Sequence, residues 1–228
     1  VKVILEIHCE IFIYSIDIMI IHNIFLDVGL KPLSERSDWL KNIEENKKIH
    51  PEAEFILWDD EKVNNLIDTK FPQYKQMIFT FKHKFYLIDF IRYLILKEYG
   101  GIYMDLDTRM KQRLPENIKF LHGGAYAKEG INNNIISLPP DYIEKLLNFC
   151  CEEYNRITEN DLYKTMPGRR FINSVSAGMF GRFCKRNNIV SDVNFRDYWW
   201  DSECISWVGL VNKRDYCKSV KLGCPPEV

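Results

Sequence analysis

Residues 85–107 take the chain from an apolar helix through two glycines into a short strand ending on two carboxylates, and this run constrains the fold more than any other. From about Phe81 to Tyr99, the residues Phe85, Ile88, Ile91, Leu94 and Ile95 recur at helical spacing, so the helix has a face to bury. Gly100-Gly101 then stops it, because glycine takes the left-handed C-cap conformation without steric cost. Ile102 to Leu106 reads as strand, and Asp105 and Asp107, two apart at its end, are expected to point to one face. A buried helix feeding straight into a strand is the repeating unit of alternating α/β architecture.

The neighbouring segments continue that alternation. Ile16 to His22 is a β-branched run of the kind found in a buried strand. Asp27 to Glu35, with Gly29 and Pro32, reads as a loop, and Ser37 to Lys48 as a polar helix. Ala53 to Trp58 is a second short strand, after which Asp59-Asp60 offers an N-cap for a helix from Glu61 to Ile67. Farther on come a Gly123-Gly124 turn, three successive asparagines (Asn132, Asn133, Asn134) and a helix from about Pro140 to Arg156. With no internal repeat or linker, the 228 residues are expected to form one domain. Residues 16–150 would be its core and 151–228 a C-terminal part that completes it.

Two pairs of side chains carry the chemistry. Asp105 and Asp107 supply the oxygen ligands that hard divalent cations prefer, and a metal there would neutralise charge on a departing diphosphate. Asp-x-Asp by itself is common, and its bland counterpart is a solvated strand end. Asp89 and Arg92, three apart on the apolar helix, lie on one face. A plain helix salt bridge is the ordinary reading of that spacing, but so apolar a helix buries the pair at least in part, and a buried ion pair beside a metal site suggests a polar pocket for a sugar.

Taken in order, Asp89-x-x-Arg92, Tyr99-Gly100-Gly101-Ile102-Tyr103 and Asp105-Leu106-Asp107 resemble the DXD-containing sugar-binding region of glycosyltransferase family 32. The large clostridial glucosylating toxins share a similar spacing. Ile20-Ile21-His22-Asn23-Ile24-Phe25 resembles the family's first strand, and Trp39 with Pro51 to Asp60 resembles its Trp…Trp-Asp-Asp pattern. The resemblance implies a GT-A-like nucleotide-sugar-binding fold, α/β with a mixed, mainly parallel central sheet flanked by helices. It also implies a metal-dependent retaining transfer of a sugar from a nucleotide-sugar donor to a hydroxyl of a glycan, lipid or protein, with Mn²⁺ or Mg²⁺ as cofactor. Carried over by position, Asp107 would bind the metal directly, and Asp105 would contact the ribose or sugar and the metal through water. Asp89 and Arg92 would hold sugar hydroxyls, with Gly101 and Tyr103 beside them and His22, Asn23 and Phe25 near the base. Glu203 would be a further metal ligand, and Ser206 and Trp207 would close over the diphosphate. The resemblance of the Asp-x-x-Arg spacing to that of the UDP-glucose-using toxins implies a UDP-sugar rather than a GDP-sugar.

Composition removes other classes. Thirty-one basic residues against thirty-two acidic ones leave a net charge of −1, without the basic excess of a nucleic-acid binder. Seven cysteines show no Cys-x-x-Cys pair or zinc spacing, so a reduced, cytoplasmic setting is expected. The isoleucine-rich stretch 11–25 is broken by Asp17, His22 and Asn23 and falls short of the roughly 20 apolar residues a membrane span needs. The chain starts at Val, which leaves an upstream anchor open. Two further readings compete with transfer: a non-catalytic sugar-nucleotide or glycan binding module of the same fold, and a metal-dependent phosphotransferase. The phosphotransferase is disfavoured because its Asp-x-Asp ends the first strand and carries Thr or Val where Arg109 stands here.

Overall fold

The computed structural model describes residues 18–26, 32–81, 84–126, 130–159 and 176–200. The first strand, β1, spans Ile20–Ile24. It starts four residues later than the β-branched run suggests, and residues 16 and 17 lie outside the described ones. Helix α1 (Ser37–Ile49) and strand β2 (Glu54–Trp58) follow. Helix α2 (Asp60–Lys70) is capped by Asp59, whose carboxylate accepts from the Lys62 N–H at 2.9 Å, as its position just ahead of the helix requires. The short α3 (Lys75–Phe79) leads to α4 (Lys84–Tyr99) and β3 (Ile102–Met104). Strands β4 (Arg109–Met110), β5 (Leu121–His122), β6 (Ala125–Tyr126), β7 (Gly130–Ile131) and β8 (Ile135–Ser137) come next. Helices α5 (Pro140–Glu159), α6 (Ala177–Arg186) and α7 (Phe195–Tyr198) and strand β9 (Trp199–Trp200) complete the described chain.

The central sheet has the order β2-β1-β3-β8-β5. β1 is parallel to both β2 and β3, while β8 runs against its neighbours β3 and β5. Four strands therefore point one way and β8 the other, the mixed, mainly parallel sheet expected. The chain leaves β1 through α1 to reach β2 on one side, then returns through α2 to α4 to reach β3 on the other. The order reverses at β1, so the crevice beyond the carboxyl ends of β1 and β3 is a topological switch point, where open α/β sheets bind ligands.

Each face of the sheet carries its own core, as the two-residue alternation of strands demands. Ile102 and Met104 of β3 pack with Ile21, Leu121 and Ile135 on one face. Tyr103, between them, joins α4 residues Phe90, Ile91, Tyr93, Leu94 and Ile95 on the other. Residues Phe90 to Leu96 are all buried, which is why α4 reads as apolar nearly all round. Tyr86 reaches across to α5, its hydroxyl donating to the Cys150 carbonyl at 2.8 Å. Cys150 is fully buried in α5, as a core-filling thiol should be, and Cys151 is half-buried. Among the described residues no helix is long and apolar enough to cross a membrane.

Candidate functional site

Helix α4 presents Asp89 and Arg92 to the carboxyl end of β3. The two are 3% and 4% exposed, so their ion pair is as buried as the apolar surroundings predict. Arg92 Nη2 lies 2.8 Å from Asp89 Oδ1 and 3.4 Å from Asp105 Oδ1, so one guanidinium serves a carboxylate on the helix and another past the strand. Its Nη1 donates to the Asn133 carbonyl at 2.5 Å, and its plane lies 4.3 Å above the Tyr103 ring. Asn133 also donates its side-chain amide to Asp89 Oδ1 at 3.0 Å. Tyr103 donates its hydroxyl to Asp105 Oδ1 at 2.5 Å.

Burial opposes the charge on Arg92, yet Asp105, Tyr103 and Asp89 raise its pKa overall, so it stays a cation. Burial also raises Asp89, with Arg92 pulling it back, and raises Asp105, with Arg92 and the Tyr103 hydroxyl opposing. One guanidinium thus faces two carboxylates, and Asp107, 9% exposed, adds a third acid two residues on.

Asp105 and Asp107 do not share a strand. β3 ends at Met104, and the Thr108 N–H donates back to the Asp105 carbonyl at 3.0 Å, closing a turn over Leu106 and Asp107. The alternation argument for a common face therefore lapses at Asp105. The Asp105 N–H instead donates to the Asn134 carbonyl at 2.7 Å, which fixes the entry to the turn.

His22 and Asn23 lie inside the sheet with their polar atoms engaged. Trp58 Nε1 donates to His22 Nδ1 at 3.1 Å, so the imidazole is the neutral Nε2–H tautomer that donates to the Gly100 carbonyl at 3.1 Å. Burial lowers its pKa to about 4, with the Gly100 contact opposing. Asn23 Nδ2 donates to the Met104 carbonyl at 2.6 Å, tying β1 to the last residue before the acid turn. Phe25, half-buried at the carboxyl end of β1, meets the Trp39 indole edge-on at 6.2 Å, with the Arg36 guanidinium 3.6 Å above that indole.

Gly100 and Gly101 have φ of +64° and +77°. A Cβ on Gly101 would stand 2.6 Å from the Ile20 carbonyl oxygen, so this position needs glycine for space as well as conformation. Glu203, Ser206 and Trp207, expected to close the site, lie outside the described residues.

Sequence reasoning missed the amides: Asn42, Asn46, Asn133 and Asn134 all bond to the acid turn or its partners. Nothing local marks them, because their partners lie 26 to 64 residues away.

The residues suit a divalent cation held jointly with a substrate. Both bonds to Asp105 fall on Oδ1, and its side chain keeps 22% of its surface. Among the described residues no cluster of three or more His, Cys, Asp or Glu could hold an ion by itself. Mg²⁺-type ions are commonly bound by one or two carboxylates with substrate phosphates completing the sphere.

Residues 36–126 match the family model described as a glycosyltransferase sugar-binding region containing a DXD motif. Inositol phosphoceramide mannosyltransferase 3 of Schizosaccharomyces pombe is 34% identical over 92 residues, covering 39% of this chain and 25% of that protein. Mannosyl phosphorylinositol ceramide synthase CSH1 of Saccharomyces cerevisiae is 31% identical over 105 residues, covering 45% and 27%. The matches thus span about a quarter of these relatives' own length. Among solved structures, PaToxG glycosyltransferase superposes with a TM-score of 0.50 at 18% identity, covering 74% of this chain and 68% of that one. The resemblance drawn from Asp89 to Asp107 is borne out by the match of residues 36–126 to that family model, and the GT-A-like fold by the superposition on PaToxG glycosyltransferase.

Proposed function

We propose that this chain is a retaining glycosyltransferase that moves a hexosyl group from a nucleotide sugar to an acceptor hydroxyl with the help of Mn²⁺ or Mg²⁺. One observation carries the reading: the Asp105-Leu106-Asp107 turn follows β3 at the switch point beside β1, and the buried Asp89–Arg92 pair meets it through Asp105. A phosphotransferase would need its acids after the first strand. Here they follow β3.

Asp107, with Asp105, would hold the divalent ion, which supplies Lewis-acid stabilisation of the leaving diphosphate. Tyr103 and Arg92 orient Asp105 through one oxygen, Oδ1, on a side chain that is 22% exposed. Arg92 Nε is buried without a hydrogen-bond partner among the described residues, and a donor sugar hydroxyl is the group proposed to meet it. This contact would fix the sugar so that the acceptor attacks from the face the leaving group vacates. The rate gain would come from orientation and preorganised charge rather than from an enzyme nucleophile.

For the donor, the Asp89-x-x-Arg92 spacing favours UDP. A second reading rests on the relatives, whose names specify mannosyl transfer and inositol phosphoceramide. It would make mannose the sugar and that lipid the acceptor. Thermal protection by a panel of UDP- and GDP-sugars with Mn²⁺ separates the two, since a ligand bound only to the folded state raises its stability. Asp107→Asn is expected to abolish metal-dependent transfer with the fold retained. Wild-type turnover in that variant would refute the assignment.

A further inference from the structure

Helix α1 reads the backbone that leaves the acid turn, residue by residue. Asn42, Asn46 and His50 stand at i, i+4 and i+8, on one face of the helix and its C-cap. Asn42 Nδ2 donates to the Leu106 carbonyl at 3.3 Å. Asn46 Nδ2 donates to the Thr108 carbonyl at 2.9 Å, and its Oδ1 accepts from the Met110 N–H at 2.8 Å. The Leu114 N–H donates to His50 Nε2 at 3.0 Å.

Successive turns of α1 thus reach backbone groups at Leu106, at Thr108 and Met110, and at Leu114. β4 is only two residues long, so side-chain amides supply much of the pairing here. Asn46 is 2% exposed, and its amide is used in both directions. Burial lowers the pKa of His50, with Glu52 opposing and Arg113 reinforcing. That keeps Nε2 free to accept while Nδ1 donates to Glu52 at 3.2 Å.

The ladder begins at Leu106, between the two carboxylates. It grips the backbone on either side of Asp107, at Leu106 and Thr108. We infer that α1 positions the metal-binding acid Asp107, with Asn46 as the central positioning residue. This rests on the reading of Asp107 as a metal ligand.

The test is Mn²⁺ binding, followed by the electron paramagnetic resonance of the free ion with UDP and, in parallel, GDP present. Asn46→Asp keeps the acceptor for Met110 but loses the donor to Thr108. It is expected to weaken Mn²⁺ binding by roughly 10- to 100-fold, the range seen when groups that orient metal ligands are removed. Asn42→Ala, which gives up one bond at a half-buried position, should weaken it several-fold. His50→Gln retains an acceptor for Leu114 and should bind nearly as wild type, whereas His50→Leu should not. Phe183→Leu, in the opposite core cluster, lowers stability and should leave Mn²⁺ affinity unchanged.

Wild-type affinity in folded Asn46→Asp and Asn42→Ala would overturn the inference while leaving the site reading intact. Should Asn46→Asp not fold, Asn42→Ala alone decides, since it disturbs a single bond. Wild-type affinity in Asp107→Asn would instead defeat the site reading itself, and the inference with it.

Discussion

Gly100→Ala and Gly101→Ala add the same methyl group to adjacent residues, and the structure assigns them different costs. Both positions have positive φ, +64° and +77°, where an L-residue is strained by roughly 1–2 kcal/mol. Alanine also restricts the unfolded chain, which returns about 0.4–1 kcal/mol. At Gly100 nothing lies within 4 Å of the added Cβ, so the net cost is about 1 kcal/mol. At Gly101 the Cβ meets the Ile20 carbonyl oxygen at 2.6 Å, Ile20 Cβ at 3.2 Å and His22 Nε2 at 3.3 Å. Ile20 belongs to β1, the strand that pairs with β3, so backbone must move, and a further ~2 kcal/mol is a fair figure for overpacking of this kind.

For a chain of this size ~1 kcal/mol shifts the melting temperature by about 2–4 °C, so Gly100→Ala should lose about that much and Gly101→Ala about 6–12 °C. Calorimetry or circular dichroism on the two variants measures it. Gly101→Ala should also lower transfer activity at temperatures where it remains folded, because β3 delivers Asp105, whereas Gly100→Ala should not. Equal shifts in melting temperature would refute the argument, since they would mean that close approach to β1 contributes nothing.

Two further outcomes follow from the buried polar groups. His22 titrates near pH 4 in the folded chain against about 6.5 unfolded, so the unfolded state binds more protons between those values. Its contribution, about 3 kcal/mol, is therefore complete above pH 6.5 and is lost as pH falls toward 4; in His22→Gln the slope of stability against pH near 5 should drop by about one proton. Arg92→Met leaves Asp89 and Asp105 without their guanidinium and should cost about 3–5 kcal/mol in denaturant unfolding, the penalty for breaking a buried pair from one side. Asp105→Asn, at a side chain that is 22% exposed, should cost much less, because Arg92 keeps Asp89. Equal losses in these two variants would contradict the assignment of Arg92 as the shared partner.

What could be read from the residues divides by distance along the chain. Asp89 and Arg92 are three apart on α4, Gly100-Gly101 ends that helix, and Asp59 caps α2, so helical geometry and backbone sterics were enough. Strand alternation cannot place Asp105 and Asp107 on one face, because it holds only while the strand lasts and β3 ends at Met104. Tertiary bonds end it: the Asn134 carbonyl takes the Asp105 N–H, and Asn23 takes the Met104 carbonyl from 81 residues away. No pattern in Ser37 to Ile49 distinguishes Asn46 from the other polar residues of a Lys/Glu-rich helix until Thr108 and Met110 are seen beside it.

The site's location obeys the same logic. Asp-x-Asp can serve as the proposed donor site only if its strand ends at the switch point, and that depends on which strands neighbour β1. The sequence order β1-β2-β3 is equally compatible with β3 beside β2, which would carry the acids away from the crevice. Two side-chain bonds from β1 tie the chain around β3 to its own strand: His22 to the Gly100 carbonyl ahead of β3, and Asn23 to the Met104 carbonyl at its end. β3 can pair with β1 in this register only if both are satisfied, because either amide or imidazole left unpaired in the sheet would cost about 1–3 kcal/mol. The polar residues of β1 therefore specify strand order as well as stability, and through strand order they specify where the two carboxylates stand.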